Sequence, residues 1–210
     1  AWLEVAVLDA GARAWAGIPG RSKALAAPLI GACWSVTGDS GSNPATNFLG
    51  TTDAQPLVLR THNARHLRID PSSQLSGATP ITANILAGSS DNGIWGSVRG
   101  ATIAGGGVLS ATDPDFPSSD GNQVTDAYGS VGGGASNIAG NSGGSAIDAP
   151  FATISGGSRN EAKGAYAAVA GGQANSAVGQ YAMVAGGAGN CAGGNRSLAA
   201  GTRAKVRPGA

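Results

Sequence analysis

The chain has 210 residues, including 36 glycines, with 12% charged residues, 5% aromatics and a formal net charge of +1. Its 13 basic and 12 acidic side chains are scattered, which argues against the clustered basic footprint of a nucleic-acid binder. Glycine far above its usual share of roughly 7% follows no G-X-Y period, so collagen is excluded, and glycines fixed between Val, Ile and Ala are not what disorder requires.

Taken from the N-terminus, Trp2-Leu3-Glu4-Val5-Ala6-Val7 alternates like a strand, and residues 1–33 form an N-terminal β segment. Residues 34–80 are a hairpin-rich module: Gln55–Thr61 and Arg65–Ile69 flank His62-Asn63-Ala64 and read as a β-hairpin. Asp70-Pro71-Ser72-Ser73 then reads as a turn or linker. Residues 81–210 carry a repeat, interrupted by inserted loops at 108–127 and 142–150.

The repeat falls into register from residue 151 as FATISGGSRNEAKGA, YAAVAGGQANSAVGQ, YAMVAGGAGNCAGGN and RSLAAGTRAKVRPGA. An earlier copy, YGSVGGGASNIAGN, occupies 128–141, and more degenerate ones are ATIAGGG at 101–107 and NILAGSS at 84–90. Each unit opens with a short strand in which Ile154, Val169, Val184 and Leu198 recur, the last unit being shifted by one. Alternation with a period of two places these and the alanines two residues earlier on one face. The pairs Gly156-Gly157, Gly171-Gly172 and Gly186-Gly187 provide a sharp corner. Asn160, Asn175 and Asn190, with Asn137, mark a second turn as residues that tolerate a left-handed backbone. Ala162, Ala177 and Ala192 make a second inward position.

Two strands and two turns per unit predict an all-β fold, a parallel β-roll or β-solenoid with rungs of about fifteen residues. The inward side chains are small. One buried Val-sized group contributes about 1.5–3 kcal/mol, whereas ordering each residue costs on the order of 1–2 kcal/mol. A roll this thin is expected to associate with itself, with Phe151, Tyr166 and Tyr181 beside the contact face.

The rungs resemble the head of trimeric autotransporter adhesins of the YadA-like type, most closely at Ser197-Leu198-Ala199-Ala200-Gly201-Thr202-Arg203-Ala204-Lys205-Val206. Residues 34–71 look like a module that precedes such repeats in bacterial surface and tail-fibre-like proteins, and residues 1–33 resemble the segment before it. The resemblance implies a homotrimer at the cell surface or outside the cell. The unit differs from that of the adhesins, which is shorter and has a single glycine at the corner. No coiled-coil stalk, membrane-barrel or peptidase-type chaperone pattern is recognisable in these 210 residues.

Chemistry-bearing motifs are sparse, and no cofactor is implied. Gly38-Asp39-Ser40-Gly41 echoes a serine-protease nucleophile, but both histidines follow it, opposite to that family's order. His62 and His66 have a metal-compatible spacing only on a helix, which the hairpin excludes. Asp113, Asp115, Asp120, Asn122 and Asp126 offer oxygen ligands for Ca²⁺ at a spacing that is not an EF-hand loop, so a solvated loop is the favoured reading. A polysaccharide-cleaving solenoid would need carboxylates clustered on adjacent rungs, and only Asp148 and Glu161 are on offer.

Cys33 and Cys191 have no metal-ligand spacing. Arg196, Arg203, Lys205 and Arg207 read as a solvated end. Trp2, Trp15, Trp34 and Trp95 suit packing first and sugar stacking second. No apolar run reaches the ~18 residues needed for a membrane span. The chain also does not open with a signal peptide's basic and apolar regions, so an exported form would be mature or a fragment. The expectation is a non-enzymatic, self-associating fibre or filament subunit. The alternative is a receptor- or carbohydrate-binding module that meets a host glycan or surface protein.

Overall fold

The structure is a computed structural model and describes residues 6–7, 16–17, 40–41, 43, 45, 47–71, 75–76, 79–109, 113–116 and 120–209. Trp2, Trp15, Trp34, Cys33, Gly38 and Asp39 lie outside the described residues. The described chain is all-β, with no helix, hence none long and apolar enough to cross a membrane. It divides into Ala1–Leu49 and Gly50–Ala210. In the first unit, Ala6–Val7 pairs antiparallel with Ala16–Gly17.

The second unit is built on a seven-stranded and a nine-stranded sheet. From Ala83 onward the chain visits them alternately. Ala83–Ala87, Thr102–Ile103, Ser130–Val131, Thr153–Ile154, Ala168–Val169, Met183–Ala188 and Leu198–Thr202 run parallel in the larger sheet. Gly93–Ile94, Gln123–Val124, Ile138–Ala139, Glu161–Ala162, Ser176–Ala177, Cys191–Ala192 and Lys205–Val206 form the smaller one, also parallel. Short apolar strands separated by glycine corners suit this path, because a two-residue strand needs only a brief extended stretch before the next φ > 0 turn.

Pairing keeps like with like. Ile154 lies beside Val169 and Val169 beside Val184, while Ala162, Ala177 and Ala192 follow one another in the opposite sheet. All six are 0–1% exposed. Large aliphatics on one wall thus face alanines on the other, and Ala152, Ala167 and Ala182 add a third buried row. The last unit departs from the sequence expectation. Leu198 pairs with Met183 and is 62% exposed, while Ala199 takes the inward slot at 3%.

The glycine corner is set by close stacking as well as by φ. Gly172 has φ 92°, and a Cβ there would run into the carbonyl oxygen of Gly187 in the next rung. The asparagine corner corrects the sequence reading. The left-handed residues are those just before the asparagines, Ser136, Arg159 and Ala174, at φ 58°, 56° and 53°. The asparagines themselves are buried at 0–1% exposure and form an amide ladder along the stack.

In that ladder Asn175 Nδ2 donates to the Gly171 and Gly187 carbonyls, both at 2.9 Å. Its Oδ1 accepts from the N–H and Nδ2 of Asn190 at 3.0 Å each. Asn137 and Asn160 repeat the pattern. The ladder begins earlier than the sequence suggests, with Asn92 and Asn122. Buried polar groups are tolerated when paired in this way.

The antiparallel hairpin Leu57–Thr61/Ala64–Pro71 turns on His62 and Asn63, both with positive φ (48° and 59°), as a two-residue hairpin with right-handed twist requires. Its second strand pairs with Ala83–Ala87, so it covers one edge of the larger parallel array. Arg65 Nη2 donates to the Ser90 and Asn92 carbonyls at 2.6 and 3.2 Å and fastens the hairpin to the first corner. The loop expected at 108–127 ends sooner, since Gln123–Val124 is a strand and Val124 and Ala127 are buried.

Candidate functional site

Three surface features of the stack have the geometry for function. The first is the outer side of the larger sheet. Its outward slots hold Ala104, Ser155, Ala170, Ala185 and Ala200, all exposed, together with Thr153, Met183 and Leu198. No charged side chain stands among them. The smaller sheet presents Glu161 and Lys163, joined by a 2.6 Å ion pair, and Lys205 and Arg207.

The second feature is a row of rings at the corner leading into the larger sheet. Tyr128, Phe151, Tyr166 and Tyr181 stack face to face at 4.9–5.0 Å with interplanar angles of 6–14°. Arg99 lies over the first ring at 5.7 Å and Arg196 over the last at 5.9 Å. All four aromatic residues adopt φ between 58° and 63°. A left-handed backbone costs a non-glycine residue roughly 1–2 kcal/mol, and each ring contact returns about 0.5–1.5 kcal/mol. The rings therefore offset the strain of their own corner. Because each face is covered by a neighbouring ring, the row exposes edges and has no open flat platform for a ligand.

The third feature is a cleft of about 860 Å³ between the Trp95 turn and the insert after Asn141. Gln123 and Thr125, outward residues of the smaller sheet, line it along with Arg99, Ser97 and Ile147. The insert is held from below by Asp126, which is 1% exposed. Asp126 accepts from the N–H groups of Asn141 at 2.9 Å and Ala149 at 3.2 Å. Asp148 closes the loop on itself, accepting from Asn141 Nδ2 at 3.0 Å and the Ser145 N–H at 3.2 Å. Desolvation acts to raise the Asp148 pKa, but hydrogen bonding with Asp126, the Ser145 N–H and the Asn141 amide outweighs it and holds the carboxyl below its ordinary value.

Trp95 stands over Gly93, where a Cβ would come within 3.1 Å of its Nε1. The absence of a side chain at Gly93 seats one part of the indole against backbone and leaves Trp95 60% exposed.

The loop read as a Ca²⁺ candidate is not assembled into one cluster. Asp113 Oδ1 accepts from the N–H groups of Asp115 and Phe116, and the Asp120 N–H donates to Ser136 Oγ. Asn122 belongs to the amide ladder and Asp126 to the insert's footing. Among the described residues no three His, Cys, Asp or Glu side chains gather around a possible metal position. Cys191 is a half-buried free thiol in the slot held by Ser176 in the neighbouring strand. Sequence reasoning missed the Trp95 cleft as a unit; the signal was that the 142–150 insert breaks the repeat just where an exposed Trp sits in an earlier rung. Comparison with protein-family models, with curated proteins and with solved structures found no match to this chain.

Proposed function

We propose that the chain is an extracellular or cell-surface fibre subunit with a structural and adhesive role, made of β-rungs of about fifteen residues and associating as a homotrimer. The observation that supports it is the contrast between the two outer faces of the rungs: those of the larger sheet present uncharged, mostly small side chains, and those of the smaller one carry Glu161, Lys163, Lys205 and Arg207. An apolar face loses little on desolvation and gains from burial, whereas a charged face resists it. The resemblance of the repeats to trimeric adhesin heads points the same way. The thin core adds a reason for association, since its apolar side chains are no larger than Ile and its second wall is alanine at Ala139, Ala162, Ala177 and Ala192.

Sedimentation velocity across a hundredfold concentration range, followed by negative-stain imaging, tests this reading. It predicts a three-chain species, alone or as the unit of a longer filament. A single-chain species at every concentration sinks it. A receptor- or carbohydrate-binding role is the second reading, and the Trp95 cleft is the observation in its favour.

A further inference from the structure

We propose that the Trp95 cleft is a binding site for a short saccharide, with a pyranose ring laid on the Trp95 indole and its hydroxyls hydrogen-bonded to Gln123 and the flanking serines. This inference rests on the receptor reading and names its ligand class.

The chemistry of the walls carries the argument. Trp95 is 60% exposed, yet its indole is seated on Gly93 and lies at the edge of a real concavity. Such a ring offers a flat apolar face to the C–H side of a sugar, together with an N–H donor at its rim. Among the described residues the Gln123 side-chain amide has no hydrogen-bond partner, so its carbonyl and both N–H donors can meet vicinal hydroxyls at the cleft wall. Ser97, Ser142 and Ser145 bring further neutral hydroxyls to the same cleft. One apolar plate among mostly neutral donors and acceptors, with the Arg99 cation in the same lining, suits a polyhydroxylated ring better than an aliphatic chain.

The cleft is also preorganised. Its outer wall, 141–149, is fixed by the carboxylates of Asp126 and Asp148 through backbone N–H groups and the Asn141 amide. A wall already ordered before binding does not have to lose freedom when ligand arrives. The volume, about 860 Å³, falls in the range of small-ligand sites and admits more than one sugar ring. Finally, Gln123 and Thr125 belong to the outward side of the smaller sheet. Association through the larger sheet would leave the opening in solvent, so a trimer would present three copies and gain from multivalency.

The test is a microarray of defined oligosaccharides containing hexoses, N-acetylhexosamines, uronic acids and sialic acids, probed with the full chain. Titration calorimetry on any glycan bound follows, and light scattering is run on the same sample. The expected result is binding to at least one saccharide class, weakened about tenfold or more by Trp95→Ala, the loss of a stacking contact. Gln123→Ala weakens it several-fold, and both variants keep the wild-type melting temperature. Gly93→Ala, which displaces the indole without removing it, gives an intermediate loss. Failure to bind any glycan overturns the proposal, and so does a Trp95→Ala variant that binds as tightly as wild type. Either negative result obtained on a three-chain species removes the saccharide site and leaves the assembly reading standing.

Discussion

From Ala83 onward the two sheets of the larger unit are made by the same repeat and pair their strands in the same parallel sense, yet they differ on both sides. Inside, the larger sheet contributes Ile154, Val169 and Val184 and the smaller one Ala162, Ala177 and Ala192. Outside, the rung strands of the larger sheet are uncharged while the smaller sheet carries the Glu161–Lys163 pair and supports one wall of the cleft. Stacking dictates the inner residues, because every rung must meet the next at the same slot. The outer residues are free of that constraint, so a difference between the outer faces reports on use.

The corner that joins the sheets is expected to be the most sensitive point. Asn175→Ala leaves the Gly171 carbonyl and the Asn190 N–H without partners and the Gly187 carbonyl with the Gln173 N–H alone, which costs on the order of 4 kcal/mol. Denaturant unfolding at fixed protein concentration reads the loss directly. A change below ~1 kcal/mol would show that water replaces the amide and that the ladder matters little.

The two inner walls should then respond in opposite ways. Ile154→Ala is predicted to cost about 3 kcal/mol and Ile154→Val about 1 kcal/mol. On the facing wall the damage comes from added bulk, so Ala162→Val costs about 2 kcal/mol by overpacking. If Ala162→Val were neutral or stabilising in thermal melts, the walls would not be in the tight contact that their burial indicates.

At the aromatic corner, replacing Tyr166 by Ala removes two ring contacts and costs about 2 kcal/mol. Replacing it by Gly costs about 1 kcal/mol less, because glycine accepts the φ of 58° without strain. Melting temperatures ranking Ala above Gly would contradict the claim that the stack compensates a strained corner. Smallest of all, Lys163→Ala breaks an ion pair whose side chains are more than a third exposed, and its effect stays below ~1 kcal/mol.

Much of this was readable from the residues. Alternation and the recurring Gly-Gly and Asn positions indicate two strands and two corners per unit, and the inward identity of Ile154, Val169 and Ala162 follows from the period of two. Other features were hidden because they depend on what lies in the adjacent rung. The asparagines look like turn formers by composition, but their amides bridge rungs, and the left-handed strain sits one residue earlier, on Arg159 and Ala174. Asn122 reads as a member of an acidic loop because aspartates flank it in sequence, although its ladder partners Asn92 and Asn137 lie 30 and 15 residues away, whole multiples of the repeat. Leu198 is the valine-like residue of the last unit, but fifteen residues on from Val184 is Ala199, and the pairing of Leu198 with Met183 turns Leu198 outward. The cleft was invisible for the same reason: Trp95 and the 142–150 insert are remote in sequence and meet only through the stack.

The most direct test of assembly through the uncharged face is light scattering on two charge insertions, one on each sheet. Ala170→Glu places a carboxylate among the exposed alanines of the larger sheet, and Val178→Glu places one beside Lys163 on the smaller. The account predicts a three-chain mass for the wild type and for Val178→Glu, and a single-chain mass for Ala170→Glu. A single-chain wild type, or an Ala170→Glu variant that keeps the three-chain mass, would contradict it.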